Sequence, residues 1–328
     1  MAIKSIYKKE FGLFENDVIE LVGVDFSNGL KTEVLTYGGI IKSLFVPSND
    51  GKRKNVVLSL PNLEAYKKDD FFIGCLIGRF ANRIKNGKFE IDGHEYQLNQ
   101  NHGFHHLHGG YKGFGKVLWD IKSIEERDDD VEINLQYLSK DGEEGYPGNM
   151  EIFVSYIMKK DKIKIIYKAK TDHKTYFNPT QHSYFNLESN SNLPIDKHML
   201  RIDSSQILEV DDQLIPTGSM KSIKGTAFDF SKKREIGSLP YDTCYKLDGK
   251  AELSSDKTGI KMFVETTAPG IQLYTADYLS KGLLPRSAVC LETQFFPDSP
   301  NQSLFPSTLL NPKDEYRSET VYQFIRGV

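Results

Sequence analysis

The stretch VEINLQY at residues 131–137 alternates apolar and polar side chains without a break. The same period of two recurs in KIKIIYKA at residues 162–169, and β-branched and aromatic residues are frequent in residues 151–158 and 260–267. Successive side chains of a strand point to opposite faces, so this period is typical of strands with one buried face. The sequence therefore predicts a chain built mainly from antiparallel strands.

Turn signals separate these segments, and helical signals are few. Asp92-Gly93 lies between two short alternating runs and predicts a two-residue hairpin turn. Residues 61–69 predict one helix of at most two turns, with Asn62 as its N-cap. No stretch holds a 3.6-residue period over three turns. The sequence predicts an all-β fold with few short helices, arranged as one large antiparallel β-sandwich or elaborated barrel domain over residues 1–328.

The charge balance and the apolar pattern exclude several classes of partner. The 328 residues carry 42 Lys and Arg against 45 Asp and Glu, so there is no basic field for nucleic acid or an anionic membrane. The longest apolar run, residues 71–77, is too short to span a bilayer, and the N-terminus has no apolar signal segment. Three dispersed cysteines do not form a disulfide framework. We therefore expect a cytoplasmic protein without nucleic-acid or membrane partners.

Four of the eight histidines lie within NHGFHHLHGG at residues 101–110, namely His102, His105, His106 and His108. Clustered imidazoles first suggest a metal site, but no Cys pair, HExxH motif or carboxylate motif lies nearby to complete one. A second interpretation is a loop whose glycines let the backbone approach a ligand, with one histidine reaching it. A third is a polar surface loop without a role. The residues alone leave these three interpretations open.

The segment NPTQHSYFNL at residues 178–187 places polar residues among aromatic ones. His182 and Ser183 suggest a serine nucleophile with its base. Neighbours on a strand point to opposite faces, however, so these two side chains would not meet. A buried structural histidine and a functional one both remain open from the residues alone.

The segment AVCLETQFF at residues 288–296 is largely apolar and contains one acidic residue, Glu292. A buried carboxylate without a partner is costly. Glu292 is therefore hydrogen-bonded, ion-paired, or kept with a raised pKa for proton transfer, unless it faces water at a sheet edge.

Two arginines follow an apolar run in GRFANRI at residues 78–84. An arginine at such a position either braces the fold or presents its planar fork to a hydroxyl-rich ligand. The pattern predicts one arginine of each kind.

These motifs together are specific. GRFANRI (78–84), LHGG (107–110), HSYFNL (182–187) and LETQ (291–294) resemble, in order and at comparable spacing, the aldose 1-epimerase (galactose mutarotase) family. The resemblance runs from about Phe11 to the end of the chain. It implies a large β-sandwich of the galactose mutarotase type, with no metal and no organic cofactor. It also implies an isomerase of carbohydrate and galactose metabolism that acts on a small sugar. We expect the protein to be a monomer or homodimer.

The implied reaction interconverts the α and β anomers of free aldohexoses such as galactose and glucose. By resemblance, His182 donates a proton to the ring oxygen and Glu292 removes the proton of the anomeric hydroxyl. Histidine, with an unperturbed pKa near 6.5, suits donation at neutral pH. Aromatic neighbours of both residues are expected to form apolar walls for the sugar. The implied substrate-binding residues are Asn82, Arg83, His108, Ser183, Tyr184, Asp242 and Gln272.

The chain departs from the family pattern at two places, which leaves the preferred sugar open. Gln181 replaces the more usual Asn, and Asp242-Thr243-Cys244-Tyr245 stands where the family usually has a His or similar polar residue after the aspartate. A hexose-phosphate epimerase of the same fold would need a second cationic cluster, which the sequence does not offer. A catalytically silent sugar-binding module would not need both His182 and Glu292. A glycosidase would need a second carboxylate motif beside Glu292.

Overall fold

The structure, a computed structural model, describes residues 3–326. In this range the strands are β1 (Ile3–Phe14), β2 (Asp17–Phe26), β3 (Lys31–Leu35), β4 (Ile41–Pro47), β5 (Arg53–Asn55), β6 (Leu76–Ile77), β7 (Arg83–Ile84), β8 (Lys88–Ile91), β9 (His94–Gln97), β10 (His106–Leu107), β11 (Asp120–Glu126), β12 (Asp130–Ser139), β13 (Met150–Lys159) and β14 (Lys162–Thr171). They continue with β15 (Thr175–Tyr176), β16 (Thr180–Gln181), β17 (Tyr184–Phe185), β18 (Met199–Ile202), β19 (Gln206–Val210), β20 (Pro216–Ser222), β21 (Arg234–Glu235), β22 (Asp242–Lys246), β23 (Ala251–Ser255), β24 (Ile260–Thr266), β25 (Gly270–Tyr274), β26 (Val289–Gln294), β27 (Leu309–Leu310) and β28 (Tyr316–Arg326). The helical segments are α1 (Leu63–Lys67) and single 3₁₀ turns at Lys85–Gly87, Phe114–Lys116, Glu143–Gly145 and Ser299–Asn301.

Three larger antiparallel sheets organise these strands. The first has five strands in the order β1-β2-β3-β4-β5, and the second has nine in the order β11-β12-β13-β14-β28-β24-β23-β18-β21. The third has six strands in the order β17-β26-β25-β22-β19-β20, and the remaining strands form two-stranded pairs. None of the described helices is both long and apolar enough to cross a membrane.

The main hydrophobic core lies where the three sheets meet. Alternation along β12 buries Val131, Ile133 and Leu135 and leaves the intervening polar side chains partly exposed. The core also takes Val24 from the five-stranded sheet and Leu291 from the six-stranded sheet. The predicted all-β sandwich is therefore confirmed.

The local predictions for the helix and the hairpin are also confirmed. Asn62 caps α1, and its side chain accepts a hydrogen bond from the Ala65 amide at 2.9 Å. Strands β8 and β9 pair up to Ile91 and His94, with Asp92-Gly93 in the turn, both at positive φ. Aspartate and glycine tolerate that left-handed conformation better than other residues.

The six-stranded sheet has one face in the core and one face outside it. Leu273 and Leu291 point into the core. The residues directly before and after each of them along its strand therefore point to the opposite side of the sheet, here called the outer face. Cross-strand pairing places two rows of side chains on this outer face. They are the row Glu292, Gln272 and Cys244 and the row Tyr184, Cys290, Tyr274 and Asp242. The register thus gathers residues more than a hundred positions apart in sequence.

Candidate active site

A cavity of about 420 Å³ opens on the outer face of the six-stranded sheet. Seven of the nine residues predicted for the site line it: Asn82, Arg83, His108, His182, Tyr184, Asp242 and Glu292. The volume is in the usual range for a small-molecule site. The structure thus brings together residues from five separate segments of the chain.

His182 and Glu292 form the innermost polar pair of the cavity. Nε2 of His182 lies 3.6 Å from Oε1 of Glu292, and the two residues are 3% and 2% exposed. Backbone hydrogen bonds hold the His182 segment: its amide donates to the carbonyl of Cys75 at 2.9 Å, and its carbonyl accepts from the amide of Gly74 at 3.0 Å. Both proton-transfer candidates are therefore carried by regular hydrogen-bonded backbone.

The imidazole of His182 is enclosed on three sides. Its ring stacks against Tyr184 with centroids 5.0 Å apart and against Phe72 with centroids 6.0 Å apart, at interplanar angles of 24° and 25°. The thiol sulfur of Cys290 lies 3.6 Å from Nδ1. These contacts leave Nε2 as the ring nitrogen that faces Glu292.

Burial changes the charge states that the sequence suggested. Burial lowers the pKa of His182 to about 4, below the value near 6.5 expected for an unperturbed histidine. Burial also raises the pKa of Glu292 well above its ordinary value, and the negative charge of Asp242 adds to this while Arg83 opposes it. Both shifts favour the uncharged form of each group, in which the pair holds one proton.

A polar network adjoins the pair. Nη2 of Arg83 lies 3.4 Å from Oδ2 of Asp242, and Gln272 donates to Oδ1 of the same carboxylate at 2.5 Å. The Asn82 side chain accepts from the amide of Arg83 at 2.8 Å. Gln272 is not among the cavity-lining residues, and its amide nitrogen is hydrogen-bonded to Asp242. This network presents a fixed guanidinium and a fixed carboxylate to a ligand.

His108 is the histidine of the 101–110 loop that reaches the centre of the site. Its Nδ1 accepts a hydrogen bond from the amide of Asn82 at 3.2 Å, and its ring contacts that of His182 at a centroid distance of 5.1 Å. Burial lowers its pKa well below the usual value, so the ring is neutral. The proton of this neutral ring is on Nε2, which makes His108 a hydrogen-bond donor toward the cavity.

The other loop histidines have different positions. His106 is buried and its Nδ1 donates to the carbonyl of Asn99 at 2.7 Å. His105 accepts from the amide of Asn86 at 3.0 Å, and His102 lies on the cavity lining. The arrangement favours the ligand-loop interpretation of this segment.

His108, His182 and Glu292 also offer ligand atoms within 4.8 Å of one another, a spacing that invites a metal. A metal ligand must present a lone pair, but Nδ1 of His108 already accepts from a backbone amide, which places the ring proton on Nε2. The donor set therefore fits a metal poorly. It suits hydrogen bonds to ligand oxygen atoms.

The structure does not bring Ser183 into the cavity, although the resemblance implied a substrate contact there. Its side chain is 1% exposed, and its hydroxyl has no hydrogen-bond partner within residues 3–326. The physical reason is the alternation of an extended chain, which turns Ser183 away when His182 faces the ligand.

Sequence reasoning missed several apolar residues of the site. Phe72 and Leu214 line the cavity in the left-handed backbone region, with φ of +59° and +61°. Tyr274 and Tyr278 stack at 6.2 Å on another side, and Tyr278 is 68% exposed. Phe72 lies inside the apolar run of residues 71–77. That run has the pattern of an ordinary core strand, so it did not identify Phe72 as a cavity residue.

Comparison with known proteins agrees with this geometry. The family model for aldose 1-epimerase matches residues 20–323. Galactose mutarotase of Bos taurus is 36% identical over 319 residues, which cover 91% of this chain and 92% of that protein. Aldose 1-epimerase of Escherichia coli strain K12 is 34% identical over 325 residues, covering 90% and 92%. The crystal structure of galactose 1-epimerase from Lactobacillus acidophilus NCFM has a TM-score of 0.90 and 26% identity, covering 100% of both chains.

These matches confirm the predicted family, the galactose mutarotase type of sandwich and the assignment to the isomerases. They do not favour the alternatives of a hexose-phosphate epimerase or a binding-only module. The family match, the two relatives above 30% identity and the shared fold lead to one conclusion: the chain belongs to the aldose 1-epimerase family.

Proposed function

We propose that this aldose 1-epimerase interconverts the α and β anomers of free aldohexoses, with galactose and glucose as substrates. The observation that carries the proposal is the His182–Glu292 pair, buried in a cavity of about 420 Å³ with Nε2 and Oε1 3.6 Å apart. A hydrogen-bond donor, a guanidinium and a carboxylate surround this pair. The reaction needs one proton donor and one proton acceptor, and the site supplies one of each.

The proposed reaction moves two protons. Protonated His182 gives its Nε2 proton to the ring oxygen while Glu292 takes the proton of the C1 hydroxyl. The bond between C1 and the ring oxygen breaks, and the C1 hydroxyl oxygen becomes the aldehyde oxygen. Rotation about C1–C2 presents the other face of the aldehyde. The reverse transfers then close the ring to the other anomer and restore both residues.

Burial favours the ring-opened stage of this cycle. The first transfers convert a charged His182–Glu292 pair into an uncharged pair, which is the form that the low-dielectric cavity stabilises. The charged pair contains the same number of protons as the uncharged pair, so it is reached by moving one proton within the site. Ring opening is thus driven in the direction that desolvation supports.

The remaining polar groups have binding roles in this proposal. Nε2–H of His108 donates to a sugar oxygen near the ring, and the guanidinium of Arg83 donates to a hydroxyl. Asp242, held by Arg83 and Gln272, accepts from a further hydroxyl. Phe72 and Tyr274 supply apolar walls for the sugar C–H faces.

The test follows the optical rotation of freshly dissolved α-D-galactose, then of α-D-glucose, with and without protein. We expect faster decay to the same final rotation. Glu292→Gln and His182→Asn each lower the rate by about 10²–10⁴-fold, the usual contribution of a positioned acid or base. Glu265→Gln, which changes an exposed carboxylate on β24, serves as the matched control.

Folding is checked in the same variants by circular dichroism and thermal unfolding. Glu292→Gln removes a buried ionisable group whose pKa is raised by burial, so we expect no loss of stability. Near-wild-type turnover in either folded variant would contradict the assigned roles.

Binding of a phosphorylated sugar is disfavoured at one part of the cavity wall. Asp70 lines the cavity and forms ion pairs with Lys281 at 2.5 Å and Lys116 at 4.0 Å. Of these three groups only the Asp70 carboxylate lines the cavity, where it would repel a phosphate. Free galactose should therefore compete better for the site than its phosphate ester, and the reverse order would favour the phosphorylated substrate.

We also propose a single cytoplasmic domain that works as a monomer or homodimer without a metal or organic cofactor. The core shared by the three sheets supports one domain, and three free, buried cysteines suit a reducing compartment. Light scattering tests the assembly, and activity after dialysis against a chelator tests the absence of a metal requirement.

A further inference from the structure

We propose that Cys290 is a positioning residue whose thiol, hydrogen-bonded to Nδ1 of His182, keeps Nε2 directed at Glu292 and the substrate throughout the proton cycle. The inference rests on the proposed function of His182 as the acid. It adds a residue that neither the motifs nor the relatives' names assign.

The first step is the placement of Cys290 on β26. It precedes Glu292 by two residues, so both side chains point to the outer face of the six-stranded sheet. It is 0% exposed, and its neighbours across the sheet are Tyr184 and Tyr274. One strand thus carries the base and also a group in contact with the acid.

The second step is the contact itself. The sulfur lies 3.6 Å from Nδ1 of His182, within hydrogen-bond range for sulfur. Burial raises the pKa of the Cys290 thiol well above its ordinary value, so the sulfur retains its hydrogen. The contact is therefore between a neutral thiol and a ring nitrogen.

The third step concerns the orientation of the His182 ring, which its aromatic neighbours alone do not fix. Stacking against Phe72 and Tyr184 holds the plane of the His182 ring. A half-turn of the ring about its Cβ–Cγ bond returns it to the same plane and preserves both stacking contacts. It nevertheless exchanges the positions of ring nitrogen and carbon atoms. A polar contact at Nδ1 distinguishes the two orientations, and Cys290 supplies it.

The thiol suits the whole reaction because its sulfur is a weak hydrogen-bond acceptor. Glu292 and the substrate exchange protons with Nε2, so Nδ1 keeps its hydrogen in both the neutral and the protonated ring. Nδ1–H donates to the sulfur at each stage, and the contact is kept while Nε2 gains and loses its proton.

The experiment compares Cys290→Ser with Cys290→Val. Serine keeps a group that donates and accepts but fits an apolar wall less well, whereas valine keeps the apolar shape and loses the hydrogen bond. We expect kcat to stay within about threefold of wild type in the serine variant. In the valine variant kcat should fall by about 10- to 100-fold, with KM nearly unchanged, because a misplaced acid impairs the chemical step. Activity in the valine variant equal to or above that in the serine variant would overturn the proposal in favour of a packing role.

A second measurement does not depend on activity. Nitrogen-15 NMR of histidine-labelled protein reports the tautomer and order of the His182 ring, whose signals are identified by their loss in His182→Asn. We expect wild type and the serine variant to share one set of shifts and the valine variant to differ at both ring nitrogens. Identical shifts in wild type and the valine variant would also overturn the proposal. If wild type did not catalyse mutarotation, the proposed function would fail while this spectroscopic result stood separately.

Discussion

Arg79 and Arg83 are four residues apart, both are buried, and their surroundings differ completely. All three side-chain nitrogens of Arg79 donate hydrogen bonds, at 2.8 to 3.0 Å, to the hydroxyl and carbonyl of Ser139 and to the carbonyls of Lys140, Pro147 and Gly148. Arg83 lines the cavity, and its Nε has no partner within residues 3–326. Its ion pair with a carboxylate is long, at 3.4 Å.

The difference shows how a buried cation can be recognised as structural or functional. Each side-chain nitrogen of Arg79 is hydrogen-bonded to protein oxygen atoms, so this arginine links the segments around residues 139 and 148. Arg83 keeps unused donor capacity beside a cavity, which is costly unless a ligand completes it. The sequence predicted one arginine of each kind in this motif, and the contacts of Arg79 fit the structural kind, whereas the position of Arg83 on the cavity suits its proposed role in binding.

The largest expected effect is on stability, from Arg79→Met. The change leaves several buried carbonyl oxygens without donors, and we expect the free energy of unfolding to fall by about 3–5 kcal/mol. Urea denaturation measures the loss. The matched control is Arg317→Met, which removes a half-exposed arginine whose contact with Glu319 is 3.7 Å long, and should change stability by less than about 0.5 kcal/mol. Equal effects in the two variants would remove the distinction.

Arg83→Gln tests the other half of the comparison. We expect kcat/KM to fall by about 10²–10³-fold, since a charged donor to the substrate is lost. The melting temperature should shift far less than in Arg79→Met. Polarimetry and thermal unfolding on the same preparation measure both quantities. A variant that unfolds as readily as Arg79→Met would place Arg83 among the structural arginines.

The pH dependence of kcat/KM separates the charges around Glu292. The active His182–Glu292 pair holds one proton. Activity therefore falls in acid, when His182 binds a second proton near its lowered pKa of about 4, and in alkali, when Glu292 loses the remaining proton. The negative charge of Asp242 raises the pKa of Glu292 and Arg83 lowers it. Asp242→Asn should therefore move the alkaline limb down by about one pH unit, and Arg83→Gln should move it up. Shifts in the same direction would contradict this electrostatic account.

The smallest effect is expected for Gln272→Leu. Its amide braces Asp242 from outside the cavity, so the change removes one hydrogen bond and leaves the arginine–carboxylate pair in place. We expect KM to rise about fivefold, equivalent to the net contribution of about 1 kcal/mol from such a bond, with kcat nearly unchanged. Steady-state polarimetry at several galactose concentrations checks this. A fall in kcat/KM as large as that expected for Arg83→Gln would show that Gln272 touches the substrate itself.

The strands were predictable because alternation is a local property of the sequence. The motifs predicted His182 and Glu292 as the acid and the base, and the structure places the two side chains 3.6 Å apart. Their pKa shifts were not predictable, because burial depends on segments far apart in the chain. Phe72 was missed because its side chain reaches the cavity only through a left-handed backbone. Cys290 was missed because its contact with His182 depends on the pairing of β17 with β26.

The alternation of side-chain directions along β26 limits where residues can be inserted into or deleted from this chain. Cys290 and Glu292 point outward and Leu291 points into the core. Insertion of one residue ahead of Glu292 within the strand would turn the carboxylate into the hydrocarbon core, whereas two residues would keep its direction and displace it by about 6.6 Å. Either change would destroy the site. Insertions and deletions are therefore tolerable only outside this strand, for example in the largely exposed turn of residues 281–285, where no cross-strand register has to be kept.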